Sequence, residues 1–125
     1  MKKILVVDDN KDTVTTMKMV LEKAGYAVSV AFNGQEGYER AQTVMPDAIL
    51  LDMMMPIMDG YTMNQYLKRN PSTKDIPVIV ISARGGMAPM FDVKNGTQVE
   101  DYMVKPVNSR ALLMRIEELF KTVKS

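Results

Sequence analysis

Four apolar runs in this chain stop at residues that carry chemistry. Ile4-Leu5-Val6-Val7 is followed by Asp8 and Asp9, Ala48-Ile49-Leu50-Leu51 by Asp52, Val78-Ile79-Val80-Ile81 by Ser82, and Tyr102-Met103-Val104 by Lys105-Pro106. Unbroken apolar runs of this length mark strands covered on both faces, as in a parallel sheet enclosed by helices. In open sheets of that kind, ligands bind just beyond the carboxyl ends of the strands. The pattern therefore predicts that three carboxylates, a hydroxyl and an ammonium meet at one edge of one sheet.

Helical patterns alternate with these runs. Asn10 is placed to cap a first helix whose apolar positions are Val14, Met17, Leu21 and Ala24, with Gly25 as its stop. Ala27 to Ala31 reads as a second strand, and Asn33 with Glu36 resembles a capping box opening a helix that fades near Val44, ahead of Pro46. Pro56 and Asp59-Gly60 make a loop, after which Met63, Tyr66 and Leu67 share a helical face that ends before Asn70-Pro71. A short helix is expected from about Pro89 to Asn95. Ser109 is expected to cap the last helix, with the stripe Leu112, Leu113, Ile116, Leu119, Phe120 and Val123. Five βα units with short connections call for right-handed crossovers and helices on both faces. The expected fold is a single doubly wound α/β domain over residues 1–125, with a parallel five-stranded sheet of order 2-1-3-4-5. In that order strands 1 and 3 are neighbours whose connections leave in opposite directions, and Asp8, Asp9 and Asp52 lie at the mouth of the crevice between them.

Composition narrows the chemistry. Sixteen basic and fifteen acidic residues leave a formal net charge of +1, which gives no general electrostatic case for nucleic acid or a membrane. The apolar run after Met1-Lys2-Lys3 is too short for a secretory signal or a span, so a cytoplasmic protein is expected. With no cysteine and no histidine, thiol nucleophiles, imidazole bases and soft metal sites are excluded. Oxygen and amine chemistry remains, which favours a hard cation such as Mg²⁺. The thirteen methionines read mainly as core and loop filler.

Taken together, Ile4-Leu5-Val6-Val7-Asp8-Asp9-Asn10, Leu51-Asp52-Met53-Met54-Met55-Pro56, Met58-Asp59-Gly60 and Asp101-Tyr102-Met103-Val104-Lys105-Pro106 resemble the receiver domain of bacterial two-component response regulators, a flavodoxin-like fold. The resemblance implies that Asp52 is the phosphoacceptor. It implies that Asp9 and Asp52 are direct Mg²⁺ ligands, that Asp8 acts through water, and that the backbone carbonyl of Met54 completes the protein ligands. It further implies that Ser82 and Lys105 meet the phosphoryl oxygens, that Pro106 follows a cis peptide, and that Ser82 and Tyr102 move on phosphorylation. The expected protein is a phosphoacceptor switch rather than an enzyme acting on other substrates. It takes its phosphoryl group from a histidine kinase or phosphotransfer protein and signals by contact with a downstream protein, with no direct nucleic acid, no membrane and no output domain of its own.

Singly, these residues have plainer readings. Asp8-Asp9 alone reads as an anchor at a helix N-terminus, Ser82 as a strand-end hydroxyl and Lys105 as a solvated lysine. A pseudo-receiver, binding a partner without phosphorylation, is the alternative function. A hydrolase of the haloacid dehalogenase type would carry a second Asp two residues after its nucleophile, where this chain has Met54. The sequence also departs from the receiver pattern: Gly85, Gly86 and Pro89 disturb the start of the 89–95 helix, and Gly96 to Asp101 is longer than the usual turn. That puts a standard output face, formed by this helix, the last strand and the last helix, in doubt.

Overall fold

The computed structural model describes residues 1–83, 90–92, 94 and 96–122. Its strands are β1 (Lys3–Val7), β2 (Ala27–Ala31), β3 (Ala48–Asp52), β4 (Val78–Ser82) and β5 (Asp101–Val104). All pair in parallel in the order β2-β1-β3-β4-β5. The helices among the described residues are α1 (Lys11–Lys23), α2 (Gly34–Val44), α3 (Gly60–Arg69) and α4 (Ser109–Thr122). The 89–95 helix expected from the sequence falls largely outside the described residues.

Alternation along the strands builds two cores. Leu5, Val7, Ile49, Leu51, Val78 and Val80 face one side and meet Ala41 of α2 and Met63 and Leu67 of α3. Ile4, Val6, Ala48, Leu50, Ile79 and Ile81 face the other, against Val14 and Leu21 of α1 and Leu112, Ile116 and Leu119 of α4. Burial on both faces is the reason the strands read as continuous apolar runs. Every residue of β3 and β4 is buried.

Helix starts follow cap chemistry, with some differences from the expectations. Asn10 and Asn33 accept from the backbone N–H of Thr13 and Glu36 respectively. Glu36 returns its carboxylate to the N–H of Phe32, one residue before the cap, rather than to that of Asn33. At the last helix Asn108, not Ser109, is the cap: its Oδ1 accepts from the N–H groups of Arg110 and Ala111. The apolar positions also differ at two places. Ala24 is the exposed C-cap of α1 and does not join its apolar face. Tyr66 lies outside the core, tilted against Tyr38 of α2 with ring centroids 5.4 Å apart, while Asn64 joins Met63 and Leu67 among the fully buried positions of α3.

The Gly96–Asp101 stretch is tied to the body of the domain. Asn64 donates to the Thr97 carbonyl at 2.8 Å, and Thr97, itself buried, donates through its hydroxyl to the Met90 carbonyl and accepts from the Asp92 N–H. Glu100 accepts from the N–H of Val78 at 2.6 Å. The extra length at this turn is thus held by hydrogen bonds to α3 and β4.

Candidate functional site

Parallel pairing brings the ends of four strands to one edge. Asp52 is the last residue of β3 and Ser82 the last of β4, while Asp8 and Asp9 follow β1 and Lys105 follows β5. The registers Val7↔Leu51, Asp52↔Ile81 and Ser82↔Val104 leave these groups side by side. The Lys105 N–H donates to the Ser82 carbonyl at 2.7 Å, fixing the chain where it leaves the sheet. The Lys105-Pro106 peptide is cis.

Asp8, Asp9 and Asp52 each offer a carboxylate oxygen, and these oxygens all lie within 4.8 Å of one another. Asp8 and Asp52 are 2% and 6% exposed, whereas Asp9 faces solvent. Asp8 is committed on both oxygens, accepting from the Asn10 N–H at 2.9 Å and from the Lys105 ammonium at 2.8 Å. The same ammonium reaches Asp52 at 3.2 Å. One lysine therefore serves two nearly buried carboxylates.

The electrostatics follow from that shortage of positive charge. Burial, then the charge of Asp8, push the Asp52 carboxyl up from 3.8 to about 6, with Lys105 partly opposing them. Burial alone would lower the Lys105 ammonium, but its hydrogen bonds and charge contacts with Asp8 and Asp52 outweigh this and raise it. The site thus sets carboxylate oxygens around a fixed ammonium. The donor set is hard, anionic and clustered, as a divalent cation of the Mg²⁺ class requires.

Neighbouring residues hold the acid in place. The Gly60 N–H donates to the Met53 carbonyl at 2.9 Å, and a Cβ at Gly60 would lie 2.2 Å from the Asp52 carbonyl oxygen, so only glycine allows α3 to start this close to the strand end. Asp59, which the sequence marks as a loop residue, caps α3 through the Thr62 N–H at 2.7 Å. Met53 is buried, while Met54 is exposed beside the site. Tyr102 is half-buried on β5 against Phe91, whose ring also meets Tyr61 edge-on, so the aromatic side chain stands in a row of three. Ser82 is fully buried at the end of β4. The expected residues Asp8, Asp9, Asp52 and Lys105 thus come together, with Ser82 on the strand end between them.

Comparison with known proteins agrees with this arrangement. Residues 4–117 match the family model described as the response regulator receiver domain. The chain is 35% identical over 121 residues to the DNA-binding dual master transcriptional regulator RpaA of Synechocystis, covering 97% of this chain and 50% of that protein. It is 38% identical over 124 residues to the response regulator PleD of Caulobacter vibrioides, of which it covers 27%. It thus spans half or less of the length of these relatives. Among solved structures it is similar to a Francisella response regulator receiver domain (32% identity, TM-score 0.86, 99% of this chain and 100% of that one). It is equally similar to the signal receiver domain of a histidine kinase from Syntrophus aciditrophicus (31% identity, TM-score 0.86, 99% and 93% covered). No helix among the described residues is long and apolar enough to cross a membrane. The sheet order, the acidic crevice and these similarities lead to one conclusion: the chain belongs to the response regulator receiver domains, the phosphoryl-accepting switches of two-component signalling.

Proposed function

We propose that Asp52 accepts a phosphoryl group from a phosphohistidine on a kinase or phosphotransfer protein, in a Mg²⁺-dependent reaction, and that the phosphorylated chain signals through contact with a downstream protein. The observation that carries this reading is the cluster of Asp8, Asp9 and Asp52 with Lys105 bridging two of its members. A carboxylate oxygen of Asp52 forms the bond to phosphorus as the bond from phosphorus to the donor imidazole breaks and its electron pair returns to the ring. Asp9, Asp52 and the Met54 carbonyl would hold a Mg²⁺ ion, which would supply positive charge beside the phosphoryl oxygens. Asp8, already holding Asn10 and Lys105, suits an indirect role through water.

Lys105 supplies the other positive charge at the site, and Ser82 a hydroxyl donor at the adjoining strand end. A phosphorylated Asp52 brings up to two negative charges to the space between them. Ser82 and Tyr102 are the residues whose positions respond. With a net charge of +1 there is no general electrostatic attraction to nucleic acid or a membrane, and the target in this reading is a protein met in the cytoplasm. Incubation of the purified chain with acetyl phosphate and Mg²⁺, followed by intact mass, tests the reading. A single phosphoryl adduct that Asp52→Asn abolishes supports it. An unmodified wild-type chain, or an adduct that persists in Asp52→Asn, refutes it and favours a module that binds its partner without phosphorylation.

A further inference from the structure

The loop that leaves Asp52 carries an isoleucine the fold does not ask for. Ile57 has φ +69° and is 77% exposed. The Met58 N–H donates to the Pro56 carbonyl at 2.7 Å, which makes Ile57 the centre of a three-residue turn of the strained, positive-φ kind. A β-branched side chain in this region is an outlier, because its Cβ substituents crowd the backbone.

The conformation itself has a structural reason. Gly34, at the start of α2, donates its N–H to the Met58 carbonyl at 2.9 Å, and Gly60 donates to Met53 at the other end of the loop. A Cβ at Gly34 would lie 2.4 Å from the Met58 oxygen, so helix and loop are in the closest contact their backbones allow. Two anchors thus impose a positive φ at position 57. Glycine or asparagine would adopt it freely. Isoleucine adds strain and places a large apolar group in water, two costs with no compensating contact among the described residues, and strain of this kind points to function.

We infer that Ile57 is a specificity-determining contact for the protein that delivers the phosphoryl group, a histidine-bearing donor whose own surface presents an apolar patch beside the phosphohistidine. The inference rests on the proposed phosphoacceptor role of Asp52. Residues 1–125 contain no histidine, so a phosphohistidine must come from outside this domain to the mouth of the acidic crevice. Ile57 and the 54% exposed Met54 stand on the loop that leaves that crevice. Because the loop is anchored at both ends, its side chain is presented without an ordering cost on binding. A small donor such as acetyl phosphate enters the crevice without covering this loop.

The two kinds of donor separate the outcomes. Wild type, Ile57→Gly and Ile57→Leu are labelled first with acetyl phosphate and Mg²⁺. They are then labelled with each autophosphorylated histidine kinase and phosphotransfer protein of the source organism, tested one at a time. Acetyl phosphate is expected to label all three at the same rate. With the protein donor that labels wild type fastest, kcat/KM falls about tenfold or more in Ile57→Gly, as loss of a buried isoleucine contact implies, while Ile57→Leu keeps most of the wild-type rate. The Tm of Ile57→Gly equals or exceeds that of wild type, because the turn is relaxed. An Ile57→Gly rate equal to wild type with the protein donor overturns the inference. So does an equal loss with both kinds of donor, or labelling of wild type by acetyl phosphate alone. If neither kind labels wild type, the phosphoacceptor reading itself fails, and this contact with it.

Discussion

Lys105 Nζ lies 2.8 Å from a carboxylate oxygen of Asp8, a residue 97 positions earlier in the chain. The contact joins the two chain segments that bound the sheet's path, and it holds the ammonium at the site before any phosphoryl group arrives. Its geometry makes Lys105 both a structural counter-ion and a candidate ligand. In Lys105→Met, Asp8 and Asp52 lose their shared cation, so in chelator at pH 7 the variant is expected to unfold at lower denaturant. Asp8→Asn should recover part of that loss, with a coupling of about 1 kcal/mol. Urea titrations of the two single variants and the double variant measure it, and strict additivity would rule out the shared-cation account.

The raised Asp52 carboxyl makes stability depend on pH in a stated direction. Its folded value is about 6 against 3.8 for the free side chain, so the folded chain holds this proton more tightly than the unfolded one. The contribution is complete below about pH 4 and is lost as pH rises through about 6. Asp52→Asn cannot lose a proton there. Without metal at pH 7 it is expected to be more stable than wild type by roughly 1–2 kcal/mol, allowing for solvent at the mouth of the site. The advantage should shrink toward pH 4, and melting curves across that range test both the size and the sign.

Linkage gives a second handle on the same cluster. A cation bound only by the assembled carboxylates stabilises the folded state by mass action, so millimolar Mg²⁺ should raise the wild-type Tm. Asp9→Ala removes the exposed member of the cluster while leaving the Asp8 and Lys105 contacts in place. The Tm shift is expected to disappear in that variant. An equal shift in both proteins would place the ion elsewhere.

Gly60 offers a steric test away from the charges. A methyl group there would meet the Asp52 carbonyl oxygen at 2.2 Å, so either α3 or the end of β3 must move. Gly60→Ala is expected to lose about 2 kcal/mol of stability. It should also slow acetyl phosphate labelling, because the displaced segment carries Asp52 itself. Labelling at the wild-type rate in a destabilised variant would show that α3 yields instead.

The site was legible because strand ends are. An apolar run that stops at Asp52 or Ser82 announces both a buried strand and the residue standing at its mouth, and parallel topology supplies the rest. Other features had no local signal. Periodicity suggests which helical positions face inward, but it could not tell that α3 buries Asn64 and sets Tyr66 against Tyr38, because the Asn64 amide donates to the carbonyl of Thr97, 33 residues away. Asn108 and Ser109 are both good caps, and only the hydrogen bonds from Arg110 and Ala111 decide between them. Pro56-Ile57 contains nothing that signals a positive φ. That turn is imposed by Gly34 and Gly60 from outside it.

The sheet that carries the site has a firm side and a yielding one. β3, which bears Asp52, is buried throughout, whereas β5 is a four-residue edge strand with no fully buried position. Protection against amide exchange should therefore fall steeply from the strand that holds the acceptor to the strand that holds Tyr102 and leads into Lys105, since opening is least costly where few apolar contacts are lost. The residue that would bear the phosphoryl group is held fixed, as is Ser82 on the buried β4, while Tyr102 and the lead into Lys105 lie on the less buried edge strand. A phosphoryl group can then displace the edge without loosening its own attachment.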